Sequence, residues 1–501
     1  MAMRISRHRI SRVLPLLAVA SAAVSPLAAQ SMSLKTVPIA TGEQYLIFPA
    51  KSLGMGGLSV AYDDPLADAF ANPARGARLR GTWLLASPTT YQGSGTQVSG
   101  NTLPMALTFG GARWFGTAAV ALQQLATPER QNFWWMPVEA QSLINEDGAT
   151  NAYVAGSLGA KLEDGRTSVA VSGYQADLDA IDGVGQLYAN SVSISQSGSI
   201  QEFRAGMLRE LSGERRLEGM VGRSDVDMTH DVVYVNWLPW DPMNPNGPRT
   251  TTRTEKNLDH TITWSGSVRY TAPTSDPGVR FGLLLVGNTK SHPKIPNYDL
   301  VNIPRDPGNS TIFGLGAGVT SLQGRTTVGA ELMVQPGRSH TWAYADSVTS
   351  TPGGKLQPGD KTVDNEFRFA NWTMALGMDH QWHPGGVQLG LRMNRYGYHL
   401  DQDNFLQDTT IATDEGWIEW SPSWGGNLKL GRAELMYSGR WVAKGFDYPR
   451  TWWGNSRVDV MVPEAAGGND FLVAPTQRVD LPDFRVTTHR FTVVVPLSAK
   501  K

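Results

Sequence analysis

The sequence predicts an all-β protein: an antiparallel transmembrane β-barrel of about 14 strands, with about 16 as the alternative count. Three observations support this prediction. Long segments alternate apolar and polar residues, short turns alternate with long loops, and after the first thirty residues no apolar stretch is long enough for a membrane-spanning helix. Because unpaired backbone groups find no partner in lipid, only a closed barrel would then carry the chain through a membrane.

The alternation is clearest in residues 258–270. There Trp264 and Val268 share one face, whereas Thr263 and Arg269 share the other. The same rhythm recurs in residues 325–335 and 432–444. A polar face of this kind would point to bulk water in a soluble sandwich and into the lumen in a barrel.

The spacing of the turns favours the barrel over the sandwich. Short connections rich in Gly and Pro alternate with long segments rich in Pro, Asn and Asp. Short periplasmic turns and long outer loops are typical of outer-membrane barrels, and a soluble sandwich has no reason to sort its connections in this way. The predicted long, irregular segments are 125–150, 177–198, 224–257, 290–308, 336–364, 399–416 and 445–485.

The composition agrees with a barrel that is apolar outside and wet inside. The chain has 53 Gly, 16 Trp and only 18% charged residues, and its mean hydropathy is −0.26. Tryptophans near strand ends predict aromatic girdles at the two membrane interfaces. The absence of cysteine excludes disulfides and thiol chemistry, and a net charge of −1 gives no reason to expect nucleic acid as a partner. No motif indicates an enzyme, a metal site or a cofactor.

The chain divides into three parts. Residues 1–29 are predicted to be a cleaved signal peptide, because an arginine-rich start precedes an apolar run too short to span a bilayer and then small residues. Residues 30–80 form a segment ahead of the barrel, and residues 81–501 form the barrel with its long extracellular loops. We therefore expect the mature chain in the outer membrane of a Gram-negative bacterium, in contact with its lipid.

Residues 52–79 are the candidate functional segment. Its glycines permit close backbone contact with a barrel wall, and its paired aspartates are expected to form ion pairs with inward arginines. A moving gate and a static plug both fit this composition. The candidate hatch residues are Gly54, Gly56, Gly57, Asp63, Asp64, Asn72, Pro73 and Ala74. The candidate lumen-lining residues are Arg204, Arg269, Arg325, Glu331, Arg392, Arg432, Glu434 and Arg440.

This segment resembles the FadL-type outer-membrane transport family and, within it, the PorV-like branch. The matching parts are residues 52–57 at the start, 60–64 in the centre and 71–74 at the end. The resemblance implies an N-terminal hatch in the lumen and passive transport of hydrophobic small molecules similar to long-chain fatty acids. The PorV-like branch implies the alternative, a docking or shuttle protein for secreted or periplasmic protein partners.

Overall fold

The computed structural model describes residues 47–94, 99–125, 149–181, 191–237, 250–276, 278–292, 308–345, 347–446 and 485–497. The predicted signal peptide and most of the segments 125–150, 290–308 and 445–485 lie outside these described residues. The described residues form one large antiparallel sheet that closes on itself, preceded by a segment with three short helices.

The strands follow one another around the sheet in chain order, except for a small hairpin of β13 and β14 that stands apart from it. The strands are β1 Gly81–Ala86, β2 Thr89–Ser94, β3 Ser99–Gly110, β4 Trp114–Leu125, β5 Thr150–Lys161, β6 Thr167–Leu178, β7 Ser191–Glu210, β8 Arg216–Trp237, β9 Thr250–Pro273, β10 Val279–His292, β11 Gly308–Gln323, β12 Thr326–Tyr344, β13 Thr349–Thr351, β14 Gly354–Leu356, β15 Lys361–Gln381, β16 Gly385–Asn404, β17 Thr409–Leu430, β18 Ala433–Phe446 and β19 Arg485–Pro496.

The barrel closes where the first strand meets the last. Strands β1 and β2 both pair with β3 on one side and β19 on the other, so they are two halves of one barrel strand. Pro88 has no N–H to donate and interrupts that strand, but its carbonyl oxygen accepts a bond of 2.9 Å from the Phe491 N–H. The described residues therefore build a closed barrel of 16 strands, which confirms the higher of the two predicted counts.

The two faces of the strands differ as the alternation predicts. On β3, Leu103, Met105 and Leu107 are exposed, whereas Thr102 and Thr108 on the other face are buried. Exposed large apolar side chains recur on strands all round the barrel, from Leu122 on β4 to Trp441 on β18. An apolar outer belt with a polar inner face is the arrangement that is stable in a lipid bilayer.

Three of the segments predicted to be irregular are mostly strand: 224–257, 336–364 and 399–416. In the first, residues 224–237 continue β8 and residues 250–257 begin β9. Residues 336–344 continue β12 and residues 361–364 begin β15, while residues 399–404 and 409–416 belong to β16 and β17. The prediction was wrong there because charged residues were read as loop residues. On the exposed faces of these strands the charges instead pair across the ladder: Arg368 Nη2 lies 2.7 Å from Asp401 Oδ2.

The helices are short and all lie before the barrel: a 3-10 helix Ser52–Met55, an α-helix Asp68–Ala71 and a 3-10 helix Pro73–Arg78. Across the described ranges, no helix has both the length and the apolar character needed to cross a membrane.

If the exposed apolar belt faces lipid, the free-energy cost of a charged substitution should depend on its depth in the membrane. Val154 on β5 and Leu322 beside the β11–β12 turn are equally exposed, at 56% each. Replacing Val154 by Arg should cost about 2–4 kcal/mol of folding free energy in lipid, whereas Leu322→Arg at the band's edge should cost about 0–1 kcal/mol. Urea unfolding in liposomes measures both values. Near-equal small costs would contradict a lipid-facing belt at Val154.

Candidate functional site

Residues 47–80, here called the lumen segment, lie inside the barrel. The 3-10 helix Ser52–Met55 contacts β15–β18, and the 3-10 helix Pro73–Arg78 contacts β3–β7 on the opposite arc of the ring. A segment that touches both arcs of a closed sheet must cross its lumen. Its contacts are with inward side chains, as at Glu331, whose Oε2 accepts the N–H of Ser59 at 2.8 Å and of Val60 at 2.9 Å.

The lumen segment lies toward the end of the barrel that carries the short turns. Asp63 is paired with Arg216, the first residue of β8, and with Arg280, the second residue of β10. Both arginines directly follow tight turns. In outer-membrane barrels this end faces the periplasm.

The glycines of the lumen segment lie in close contact with the barrel wall, as predicted from their lack of a side chain. Gly56 and Gly57 have φ of +71° and +70°, a conformation that L side chains rarely adopt. The Gly56 N–H donates to Ser423 Oγ at 2.9 Å. A Cβ on Gly54 would lie 2.9 Å from Gln388 Cβ, too close for the two chains to keep their present separation.

The wall also supplies glycines, which sequence reasoning missed. A Cβ on Gly377 would lie 2.8 Å from Met55 Cβ, and a Cβ on Gly390 would overlap the backbone of Gly56. The close approach therefore depends on small residues on both surfaces. The available signal was their position: Gly377 and Gly390 fall on inward positions of β15 and β16.

Asp63 connects the lumen segment electrostatically to three strands. Its carboxylate lies 2.5 Å from Arg216, 3.2 Å from Arg269 and 3.7 Å from Arg280, and 2.8 Å from Arg78 of the segment itself. Burial opposes ionisation of Asp63, but the charges of Arg78, Arg269 and Arg216 outweigh it and hold its pKa well below the usual range. This is the pairing with inward arginines expected from the sequence.

Asp64 behaves differently from its neighbour. Its buried carboxylate accepts the N–H groups of Lys51 at 2.6 Å, Ser52 at 2.7 Å, Leu66 at 3.0 Å and Ala67 at 3.3 Å. The expected ion pair between Asp64 and an inward arginine is thus replaced by bonds within the segment. The physical reason is that four converging backbone donors already satisfy this short acceptor.

A second ionic group, which sequence reasoning did not find, lies beside Asp63. Arg75 Nη1 lies 2.6 Å from Asp68 Oδ1, and its Nε also pairs with Glu218 of β8. Glu218 Oε1 in turn lies 3.1 Å from Arg269 Nη1. All four side chains are buried, so each charge depends on its partners. The signal for Glu218 was its place on the inward face of an alternating strand.

The Asn72–Pro73–Ala74 turn begins the second 3-10 helix. Asn72 Oδ1 accepts the Ala74 N–H at 3.1 Å, and Pro73 occupies the first helical position, where its missing donor costs nothing. Asn72 Nδ2 also reaches the wall, donating to the carbonyl oxygen of Gly219 at 3.3 Å. Ala74 is fully buried against Phe115 and its neighbours.

Four of the candidate lumen-lining residues hold the lumen segment directly. Besides Glu331, Arg204 Nη1 donates to the Phe70 carbonyl at 2.8 Å. Arg269 Nε donates to the Val60 carbonyl at 2.8 Å. Arg392 Nη1 lies 3.3 Å from the carbonyl oxygens of both Gly56 and Gly57.

The other four candidates lie elsewhere. Glu434 accepts a bond of 2.7 Å from Asn427 Nδ2 on the inner face, and Arg440 is buried on the same face of β18. Arg325 and Arg432 instead lie in tight turns and are exposed, so they do not line the lumen beside the segment. The alternation was extended one residue too far there, because β12 begins at Thr326 and β18 at Ala433.

Ile47 and Phe48, the first residues of the lumen segment, pack against an apolar surface on the barrel wall. Phe48 stacks on Phe70 with ring centroids 4.1 Å apart and contacts the Tyr174 ring edge at 6.1 Å. Ile47 packs in a buried cluster with Tyr153. A small cavity of about 10 Å³ lies beside these side chains.

Comparison with known proteins adds little to this geometry. No protein-family model and no curated protein sequence matches the chain. Solved structures with a related outline include the toluene transporter TbuX of Ralstonia pickettii, with 10% identity, 89% of this chain, 97% of that chain and a TM-score of 0.40. The toluene transporter TodX of Pseudomonas putida has 8% identity, 94% and 99% coverage and a TM-score of 0.36.

The copper transporter OprC has 11% identity over 73% of this chain, with a TM-score of 0.37, and the chain spans only 61% of its length. At identities and TM-scores of this size, these likenesses carry no argument about cargo. The barrel rests on the chain's own strand pairing.

The Asp63 ion pairs make a testable prediction. Asp63→Asn keeps the shape of the side chain but leaves Arg216, Arg269 and Arg280 without the shared carboxylate. Asp63 is partly buried, and the Arg269 that it would leave behind is fully buried, so the loss should cost about 2 kcal/mol. We therefore expect the amides of residues 52–79 to exchange with solvent at least about tenfold faster. Hydrogen exchange followed by mass spectrometry measures this rate.

Asp401→Asn is the matched control, since it removes an exposed ion pair with Arg368 outside the lumen. It should leave exchange in residues 52–79 unchanged. Equal exchange in both variants would mean that Asp63 does not hold the segment.

Proposed function

We propose that this chain is a FadL-type outer-membrane transporter that lets hydrophobic small molecules pass down their concentration gradient, with the lumen segment as its hatch. The observation that carries the proposal is the way in which residues 47–80 close the short-turn end of the barrel. The motif in residues 52–79 supports the family, and long-chain fatty acids are the substrate class that the family resemblance suggests.

The contacts of the segment suit an element that leaves and returns. Its polar ties to the wall are ion pairs at Asp63 and Arg75 and hydrogen bonds at Glu331, Arg204 and Arg392. Close contacts between glycines and the packing of small side chains such as Ala74 add to them. Polar contacts of this kind fix one position but can be exchanged for water, whereas an interlocked apolar core could not. A hatch must be held in one position when it is closed, and its contacts must also be able to break and re-form.

The apolar surface around Ile47 and Phe48 is the proposed cargo site. Phe48, Tyr153 and Tyr174 offer aromatic faces that a hydrophobic molecule would contact, and the small remaining cavity means that cargo must take the place of residues 47 and 48. Transport in this account therefore depends on displacement of the lumen segment.

The many contacts between the lumen segment and the wall favour the second candidate function, a PorV-like docking or shuttle protein. A barrel that never opens would act through its surface, and strands β12, β15, β16 and β17 carry ladders of charged side chains on their exposed faces, such as Arg368 with Asp401. Secreted or periplasmic proteins would be the partners. This function requires no movement of residues 47–80.

A reversible cross-link separates the two functions. The chain has no cysteine, so Val60→Cys with Gly318→Cys introduces a single pair. A Cβ at Gly318 lies 3.0 Å from Val60 Cβ, close to disulfide geometry after slight relaxation. We expect the oxidised variant in liposomes to lose uptake of a fluorescent fatty acid and to regain it after reduction.

Each single-cysteine variant is the control and should carry the probe with or without reductant. Equal uptake by the oxidised and reduced double variant would overturn hatch movement. An absence of uptake by the wild-type protein, together with stable capture of a secreted protein, would favour docking.

A further inference from the structure

The outer, lipid-facing surface of the barrel carries a trough that the transport site does not use. It crosses β4–β11, has a volume of about 850 Å³ and is lined almost entirely by apolar atoms. Trp114 lies at one end and Phe313 at the other, and both are more than half exposed. A volume of this size lies within the range of about 300–1,000 Å³ for sites that hold small organic ligands.

The floor of the trough results from missing side chains. Gly266 of β9 pairs directly with Gly287 of β10, and Gly219 of β8 pairs with Met207 of β7. A Cβ on Gly219 would meet no atom within 4 Å, and one on Gly266 would meet only a carbonyl oxygen at 3.6 Å. The depression is therefore open space above glycines, bordered by larger outward residues.

The trough does not open into the lumen. The ladders between β5 and β10 run through the lining residues without a register shift there, so the backbone bonds of the wall are intact. Whatever occupies the trough must come from the membrane. This separates the trough from the proposed cargo path.

A second copy of the chain is a poor occupant. In a two-fold dimer the same patch faces itself, and two concave surfaces placed face to face leave a void. A flexible hydrocarbon chain follows a concave apolar floor without that cost, because each methylene buried on the floor is favourable. The shape therefore selects a lipid chain over a protein surface.

Two positively charged residues, Arg113 and Arg209, lie toward the end of the trough near the short turns. The Arg113 guanidinium carbon lies 5.9 Å from the centre of the Trp114 ring, and Arg209 follows Met207 on the outward face of β7. Arg209 also acts electrostatically on Asp164 of the neighbouring turn, at the same end of the barrel. A guanidinium at the membrane interface is a strong partner for a phosphate group.

We propose that a single phospholipid binds in this trough, with an acyl chain along the floor made by Gly219, Gly266 and Gly287 and its phosphate at Arg113 and Arg209. The lipid belongs to the leaflet on the short-turn side of the membrane. It binds from the bilayer and stays bound while the lumen segment moves.

Native mass spectrometry of the full-length protein, extracted from membranes in a mild detergent, tests this site. The wild-type barrel should retain one phospholipid, identified by its mass and by lipid extraction. Gly219→Leu with Gly266→Leu fills the floor with apolar side chains that still face lipid, and should reduce the retained phospholipid at least tenfold. Arg113→Gln with Arg209→Gln should weaken retention without filling the floor.

Gly156→Leu with Gly173→Leu is the matched control, because these two outward glycines pair with each other outside the trough and have open space above them. This control should retain the lipid as the wild type does. Equal retention in the trough and control variants, or a wild-type barrel without lipid, would overturn the proposal. A wild-type dimer that the trough variant converts to monomer would show that a second copy occupies the trough, and this too would overturn it.

Discussion

One carboxylate joins the lumen segment to three neighbouring strands of the barrel. Asp63 lies among Arg78 of its own segment and Arg216, Arg269 and Arg280 of three consecutive strands. A partly buried carboxylate among several guanidinium groups is most stable where all of them converge, so it favours one depth and one rotation of the segment. At the other end, around Gly56, the lack of side chains on the segment and on the wall lets the segment lie flat against β15 and β16.

Much of this arrangement could be predicted from the sequence because it depends on local pattern. A strict alternation assigns each strand residue to a face, and it placed Arg269, Glu331 and Arg392 inside, where they hold the segment. The strand count was harder to predict, because the pattern does not fix where each strand begins and ends; it is the strand pairing, with β1 and β2 between the same two neighbours, that gives 16.

The remaining features depend on which parts of a long chain meet in space. Arg75 and Glu218 are 143 residues apart, and no local pattern indicates that they pair. Asp64 stands beside Asp63 and has the same chemistry, yet the folding of its own segment surrounds it with N–H donors. Arg325 shows the limit of the alternation itself, since the turn at Gly324 includes Arg325 and the strand begins one residue later than the pattern, at Thr326.

The central claim is that residues 47–80 close a barrel that is otherwise open. Ion conductance of single barrels in a planar bilayer tests this most directly, by comparing the full chain with a variant that lacks residues 47–79. The account predicts little or no current through the full chain and a steady current through the variant. Equal conductance, from a variant whose unheated gel mobility shows a folded barrel, would contradict the claim.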